Sequence, residues 1–398
     1  MRFENLWPGV LTQNNLENWQ IGGFGLYVHW PFCEAKCPYC DFNSHVVSHV
    51  DQGRWARALA DEIRRAGAET SDRVLGSIFF GGGTPSLMTP ETVSTVIEAA
   101  RDCWTFANDI EITLEANPRS VEVQRFEGYA RAGVNRVSLG VQALHASDLK
   151  RLGRLHDVDE AKTALAVARS VFERVSFDLI YARQNQTLDD WRSELGEALD
   201  MAVDHLSLYQ LTVEEGTAFW DRARAGGLRG LPGEDLAADM YEVTQDLCST
   251  AGYTAYEVSN HARPGAQSRH NLIYWRYGDW LGIGPGAHGR LGTATQRVAT
   301  VAWRQPGLWL QHAEAGSGLE SRAFLDVSDQ AGEYLMMGLR LDEGLDIERL
   351  HRLDSTVAGP EAVAELVDLD LVLWDGPVLR TTAKGRLVLN SVVAALLP

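Results

Sequence analysis

Three of the five cysteines, Cys33, Cys37 and Cys40, form a C-x3-C-x2-C run. Thiolates are the usual ligands of an iron–sulfur cluster, which normally takes four. Three on one short loop would hold three irons of a cubane and leave the last iron open to an exchangeable ligand. Two other readings stand beside this one. A Cys3His zinc site could use His29 or His45, although structural zinc sites usually draw their ligands as separated pairs. The three could also be unrelated loop thiols. Ligand preference favours the cluster. Cys103 and Cys248 stand alone and read as small buried hydrophobes.

Further along, Gly81-Gly82-Gly83-Thr84-Pro85 joins an apolar run to a helical one. Glycines there let a ligand approach the backbone, and free N–H groups at such a turn suit a carboxylate. Taken alone, the run is equally a tight turn. Glu115, Gln142, Arg154 and Asp178 are polar residues in or just beyond apolar runs. Singly, each reads as a loop polar group or an interior hydrogen-bond partner. A last cluster is His270-Asn271-Leu272-Ile273-Tyr274-Trp275, followed by Tyr277, Trp280 and Gly282, Gly284 and Gly286. Its imidazole could ligate a metal, and its rings offer flat apolar surface. On residue types alone, a core-facing aromatic loop whose histidine bonds a carbonyl is the simpler reading.

These residues need elements to position them. Apolar runs at Leu26–Trp30, Leu75–Phe80, Ile110–Glu115, Arg136–Gln142, Arg174–Ile180 and His205–Leu211 read as strands. Helical periodicity separates them, as in Asp159–Val171 and Asp189–Ala202, and Thr89 followed by Pro90 marks a helix start. Largely hydrophobic strands are expected where helices cover a parallel sheet on both faces. Six βα units give either a curled or an open parallel sheet. In both, the chemistry lies at the C-terminal strand ends, where the candidate residues fall. The rhythm stops near residue 220. A Gly-rich stretch, a helix at Asp235–Ala251 and an irregular aromatic region from Tyr253 follow. The end reads as short helices at Asp329–Leu339, Ile347–Leu353 and Pro360–Val367, a β-ribbon at Leu371–Leu379 and a final helix from Thr382. This order is winged-helix-like. The expected division is an N-terminal extension over 1–22, a βα region over 23–220, a connecting segment over 221–325 and a C-terminal domain over 326–398.

Composition narrows the function classes. The chain has 398 residues, enough for two or three domains. A formal charge of −18 is a poor footprint for gripping phosphate backbones, so no nucleic-acid partner is expected. Five cysteines exclude a disulfide scaffold. The N-terminal residues lack the apolar run of a signal peptide, and a cytoplasmic location is the default.

With the cysteine run placed after the first strand of a βα repeat, the sequence resembles the radical S-adenosylmethionine (SAM) superfamily. The resemblance implies a partial (β/α)6 TIM-type barrel in an α/β chain with a C-terminal α+β domain. It also implies a [4Fe-4S] cluster on Cys33, Cys37 and Cys40, with SAM chelating the open iron. Tyr27, Tyr39, Gly82, Gly83, Thr84, Glu115, Gln142, Arg154 and Asp178 match SAM-holding positions of the coproporphyrinogen-dehydrogenase-like branch. That branch holds decarboxylating dehydrogenases, whose motif carries one more cysteine, and heme chaperones. Here Phe42 occupies the extra cysteine's position, and no N-terminal tyrosine- and proline-bearing arm is evident. Cys40-Asp41-Phe42 and the H-N-x-x-Y-W motif at His270–Trp275 are similar to the chaperone type. That likeness implies heme as a ligand of His270, with Tyr274 and Trp275 beside it and His288 and His261 as weaker alternatives. It further implies heme-acceptor proteins, including membrane-associated respiratory ones, and an electron donor as partners. One stretch departs from the family: Ala182-Arg183-Gln184-Asn185 stands where many members have Gly-Leu-Pro-Gly, which leaves the local loop shape open.

Overall fold

In the computed structural model the chain is described over residues 18–292 and 296–398. Most of the expected 1–22 extension therefore lies outside the described residues. The six expected strands are present: β1 Phe24–Trp30, β2 Val74–Gly82, β3 Thr105–Ala116, β4 Arg136–Gln142, β5 Arg174–Tyr181 and β6 His205–Gln210. They pair in parallel and in chain order, each with the next. A doubly wound sheet reverses its strand order at a switch point. This run does not reverse, so the winding is that of a barrel.

The sheet continues past the end of the βα rhythm. Short strands β7 Thr254–Ala255 and β8 Asn260–Ala262 extend it beyond β6. On the other side β9 Asp279–Ile283 pairs in parallel with β1. Antiparallel β10 His288–Gly292, β11 Arg297–Ala302 and β12 Leu319–Leu325 follow it. The twelve strands form one sheet whose two end strands do not pair with each other. The aromatic region that reads as irregular in sequence thus contains strands and the short helix Arg269–Trp275.

The strands are not apolar on both faces. In β1, Phe24, Leu26, Val28 and Trp30 are buried toward the surrounding helices. Phe24 meets Trp104 edge-on, and Trp30 meets Trp55 on helix Gln52–Gly67. The alternate residues Gly25, Tyr27 and His29 face inward, where Ser77, Thr113, Ser138, Ser176, Asp178 and Ser207 come from the neighbouring strands. One face forms the hydrophobic core. The other makes a polar barrel interior able to hold a polar ligand, and hydroxyls bonded to one another make its burial tolerable.

Helix Arg269–Trp275 lies at the N-terminal strand ends. The His270 ring comes up against Gly25 near the start of β1. Glu111 on β3 accepts the backbone N–H of Arg269 at 3.0 Å, on the first turn of the helix. The same carboxylate accepts Arg174 at 2.5 Å at the start of β5. A buried anion at a helix N-terminus, paired with a cation from two strands away, closes this end of the barrel.

The C-terminal residues have their own core. Helices Val327–Gly338, Ile347–Leu353 and Pro360–Asp368 pack with a three-stranded antiparallel sheet and the helices Ala383–Leu387 and Leu389–Leu396. The expected ribbon is Val372–Asp375 paired with Val378–Thr381, and Leu345–Asp346 adds a third strand. Tyr277 inserts from the barrel side into this core, and Arg349 donates to the carbonyls of Arg276 and Tyr277.

Removing one partner of a buried pair leaves the other uncompensated, at a cost of roughly 3–5 kcal/mol. Glu111→Gln is therefore expected to lower the stability of the apoprotein by about 3 kcal/mol in denaturant unfolding. A loss below about 0.5 kcal/mol would show that the floor does not depend on this carboxylate.

Candidate functional site at the C-terminal mouth of the barrel

Parallel winding brings the C-terminal strand ends together around a cavity of about 420 Å³. That lies within the roughly 300–1,000 Å³ range of small-molecule sites. Cys33, Cys37 and Cys40 line it, as do Tyr39, Gly82, Gly83, Thr84, Glu115, Gln142, Arg154 and Asp178. Of the expected cluster and SAM residues, only Tyr27 is absent from the wall. It lies deeper, with its hydroxyl 2.9 Å from His29 Nδ1 and its ring beside Phe79 and His270.

The cysteine loop is built on backbone. Directly after β1, Phe32–Cys33 pairs with His45–Val46, so the two ends of the loop are fastened side by side. The Cys40 N–H donates to the Cys37 carbonyl at 3.1 Å and turns the loop back. Thr84 Oγ1 donates to Cys33 Sγ at 3.4 Å, and Arg154 Nη1 to Cys37 Sγ at 3.5 Å. Burial pushes the Cys33 and Cys40 thiols up. Metal binding and thiol deprotonation are therefore coupled here. The histidines considered for zinc are engaged elsewhere. His29 Nε2 lies 2.9 Å from the Asn43 carbonyl, its Nδ1 meets Tyr27, and His45 Nε2 lies 3.1 Å from Asn43 Oδ1.

Gly82 and Gly83 pass where no side chain fits. Gly82 has φ +113°, and a Cβ on Gly83 would come within 2.7 Å of the Phe32 carbonyl and 3.0 Å of Cys33 Sγ. Gln142 is strained: it has φ +72°, and Ala143 N–H bonds back to the Val141 carbonyl at 3.0 Å. This three-residue turn is rare, and such strain collects at functional sites. The break in register between β4 and β5 falls at the same place.

Charge at this mouth is unevenly matched. Arg154 donates to Asn117 Oδ1 at 2.6 Å and to the Gly140 carbonyl at 2.8 Å. Among the described residues, Glu115 accepts only a 3.3 Å contact from the Gly82 N–H. Burial, and then the neighbouring Asp178, push the Glu115 carboxyl up to about 8. Burial also raises Asp178 to about 6, against hydrogen bonds from Ser207 and Ser138 and the positive Arg136 and Arg154. Two desolvated carboxyls facing a cavity are suited to a ligand bearing hydroxyls or positive charge.

Asn117 was not singled out in the sequence. Besides accepting Arg154, it donates to Thr84 Oγ1 at 3.3 Å, so it couples the arginine to the glycine turn. Its place two residues after Glu115, before a proline, was the available signal. Tyr209 and Gln210 at the end of β6 also line the cavity.

The residues expected at heme do not join this wall. His270 is 1% exposed and lies below it. Its Nδ1 is 2.7 Å from Ser77 Oγ and its Nε2 2.8 Å from Tyr274 Oη. Phe79 stacks on the ring, and burial lowers its pKa to about 3. Trp275 points away, toward Arg340 of the C-terminal residues. His261 is buried against Gln245, whereas His288 on β10 is exposed. Both His270 nitrogens are thus bonded, as in the simpler reading of the motif, except that the partners are hydroxyls.

A cysteine loop at the mouth of a parallel barrel, facing half-buried carboxyls, places the chain in the radical SAM superfamily, which residues 27–196 match. Residues 325–388 match the HemN C-terminal domain. The heme chaperone HemW of Escherichia coli is 40% identical over 321 residues, spanning 80% of this chain and 82% of that protein. The mitochondrial radical S-adenosyl methionine domain-containing protein 1 of Mus musculus is 40% identical over 385 residues, 94% of this chain and 87% of its own length. Within the superfamily, the chain belongs to the HemW family. Its fold is shared with Escherichia coli coproporphyrinogen III oxidase (HemN), with a TM-score of 0.79 at 23% identity over 94% of this chain and 90% of that one.

Glu115 and Asp178 hold protons in the folded apoprotein that the unfolded chain, with ordinary values of 4.5 and 3.8, gives up. Their penalty is absent at low pH and grows as pH rises, from 3.8 to about 6 for Asp178 and from 4.5 to about 8 for Glu115. Glu115→Gln removes the larger share. Its melting temperature should rise relative to the unsubstituted protein between about pH 5 and about pH 8. A pH-independent difference would show that Glu115 is not buried uncompensated.

Proposed function

We propose that the protein is a heme chaperone that holds a [4Fe-4S] cluster and SAM at the C-terminal mouth of its barrel and passes heme to acceptor proteins. One observation carries the reading: Cys33, Cys37 and Cys40 share one cavity with Glu115, Gln142, Arg154 and Asp178. Three thiols on one short loop fit a cluster with one open iron. The glycine turn, too tight for any Cβ, fits close approach of a small ligand. Bound there, a reduced cluster would supply an electron to SAM. The chain's own residues do the rest. Glu115 and Asp178 accept hydroxyl or ammonium hydrogens, and ionise as they do so. Arg154, held by Asn117, meets a carboxylate. Tyr39, packed on Phe219, gives an aromatic wall.

Phe42 favours chaperone over decarboxylase. It fills the position of the extra dehydrogenase cysteine and is 58% exposed at the cavity rim. Among the described residues, no helix is long and apolar enough to cross a membrane. Ligation of heme by His270 requires an opening step, because Nε2 must first leave the Tyr274 hydroxyl. His288 needs no such step.

The test is anaerobic reconstitution with iron, sulfide, SAM and heme. Heme binding without carbon dioxide release from coproporphyrinogen III is expected; stoichiometric release would replace the chaperone reading with an enzymatic one. If His270 is the ligand, Tyr274→Phe tightens heme binding and His270→Ala abolishes it. Unchanged binding in both, with loss in His288→Ala, would move the ligand to His288.

A further inference from the structure

Loop 182–185, which adds a charge just beyond β5, has a role that the SAM site does not explain by itself. Ala182 and Asn185 sit at φ +57° and +59°, a region that side chains other than glycine rarely adopt. The backbone is held there while Arg183 turns inward, only 3% exposed. Its guanidinium makes three hydrogen bonds. Nη1 donates to the Ile180 carbonyl at 2.6 Å, and Nη2 to Asp148 Oδ2 at 2.9 Å and to Glu194 Oε2 at 2.5 Å. Glu194, 1% exposed, uses its other oxygen to accept the Leu144 N–H at 2.7 Å. Gln186 closes the group, donating to Glu194 Oε2 and accepting the Arg183 N–H.

Ile180 lines the cavity, and Asp148 and the Leu144 amide held by Glu194 lie on two further segments that lead to its wall. Ile180 follows Asp178 by two residues on β5. Leu144 follows the strained Gln142 turn by two residues. Asp148 lies on helix Ala146–Arg151, whose end leads into Arg154, and the Arg154 N–H bonds back to the Leu149 carbonyl at 2.9 Å. One buried cation therefore fastens the backbones that carry Asp178, Gln142 and Arg154. We infer that Arg183, acting with Glu194, is a positioning residue that sets the register of these three groups toward SAM without touching it. The planar fork suits this task, because an ammonium does not reach three acceptors in fixed directions.

The inference rests on the proposed SAM site, so its test separates the two. SAM affinity of the reconstituted protein is read from the change in the electron paramagnetic resonance spectrum of the reduced cluster. Exchange of the Leu144 amide is read in the apoprotein. Arg183→Met is expected to weaken SAM at least tenfold at unchanged iron content and to speed Leu144 exchange. Arg183→Lys should fall between Met and the unsubstituted protein. Leu350→Ala, in the C-terminal core, lowers the melting temperature away from this site and should leave SAM affinity unchanged. Unsubstituted affinity in Arg183→Met, or weakening no greater than in Leu350→Ala, would overturn the positioning role. Should Arg183→Met not fold, the same criteria apply to Arg183→Lys. If the unsubstituted protein fails to bind SAM, the functional reading falls; Leu144 exchange then still decides whether Arg183 fixes the turn.

Discussion

Parallel pairing of β1 to β6 in chain order is the constraint on which the rest depends. It collects six C-terminal strand ends at one mouth and six N-terminal ends at the other. Residues far apart in sequence, such as Cys33 and Asp178, thereby share one cavity. The two ends then diverge in chemistry. At the floor, Glu111 is matched by Arg174 and a helix N-terminus, and His270 is sealed beneath Tyr274 and Phe79. At the mouth, Glu115 and Asp178 are half-buried, and desolvation there outweighs the partners they have.

That contrast separates structural from functional carboxylates in one barrel. Glu111 and Glu115 lie on the same strand, four residues apart, and both point inward. One is satisfied by protein cations and donors. The other carries a desolvation cost that a ligand with hydroxyls or positive charge would offset. Around it, the fold spends backbone strain at Gln142 and side-chain order at Arg154 to keep an unfilled shape.

Much of this was legible from residue types. The cysteine spacing, the glycine turn, the polar residues closing β3 and β4, and Asp178 within β5 all fall on the cavity, because a strand end is a local feature and the winding does the rest. The alternation of β1 was missed: Tyr27 and His29 read as members of an apolar run, although they face a polar interior. The placement of His270 was not legible either. Its partners Ser77 and Phe79 lie about two hundred residues earlier in the chain and meet it only through the β9–β1 pairing. The helix and strands within the aromatic region were hidden by glycines that serve close backbone approach: a Cβ on Gly282 would meet the His288 carbonyl at 2.2 Å. Loop 182–185 showed its charge in sequence, but its reach to Leu144 depends on Glu194 across the fold.

We propose that the mouth is a half-built site completed by SAM. Calorimetry of SAM binding to the reconstituted protein, in buffers of different ionisation enthalpy near pH 7, reads the protons displaced. The Glu115 carboxyl, raised to about 8 when the cavity holds no ligand, must ionise as the ligand binds. The account predicts net proton release that is smaller in Glu115→Gln. Binding with no proton release, or with release unchanged in that variant, would contradict it.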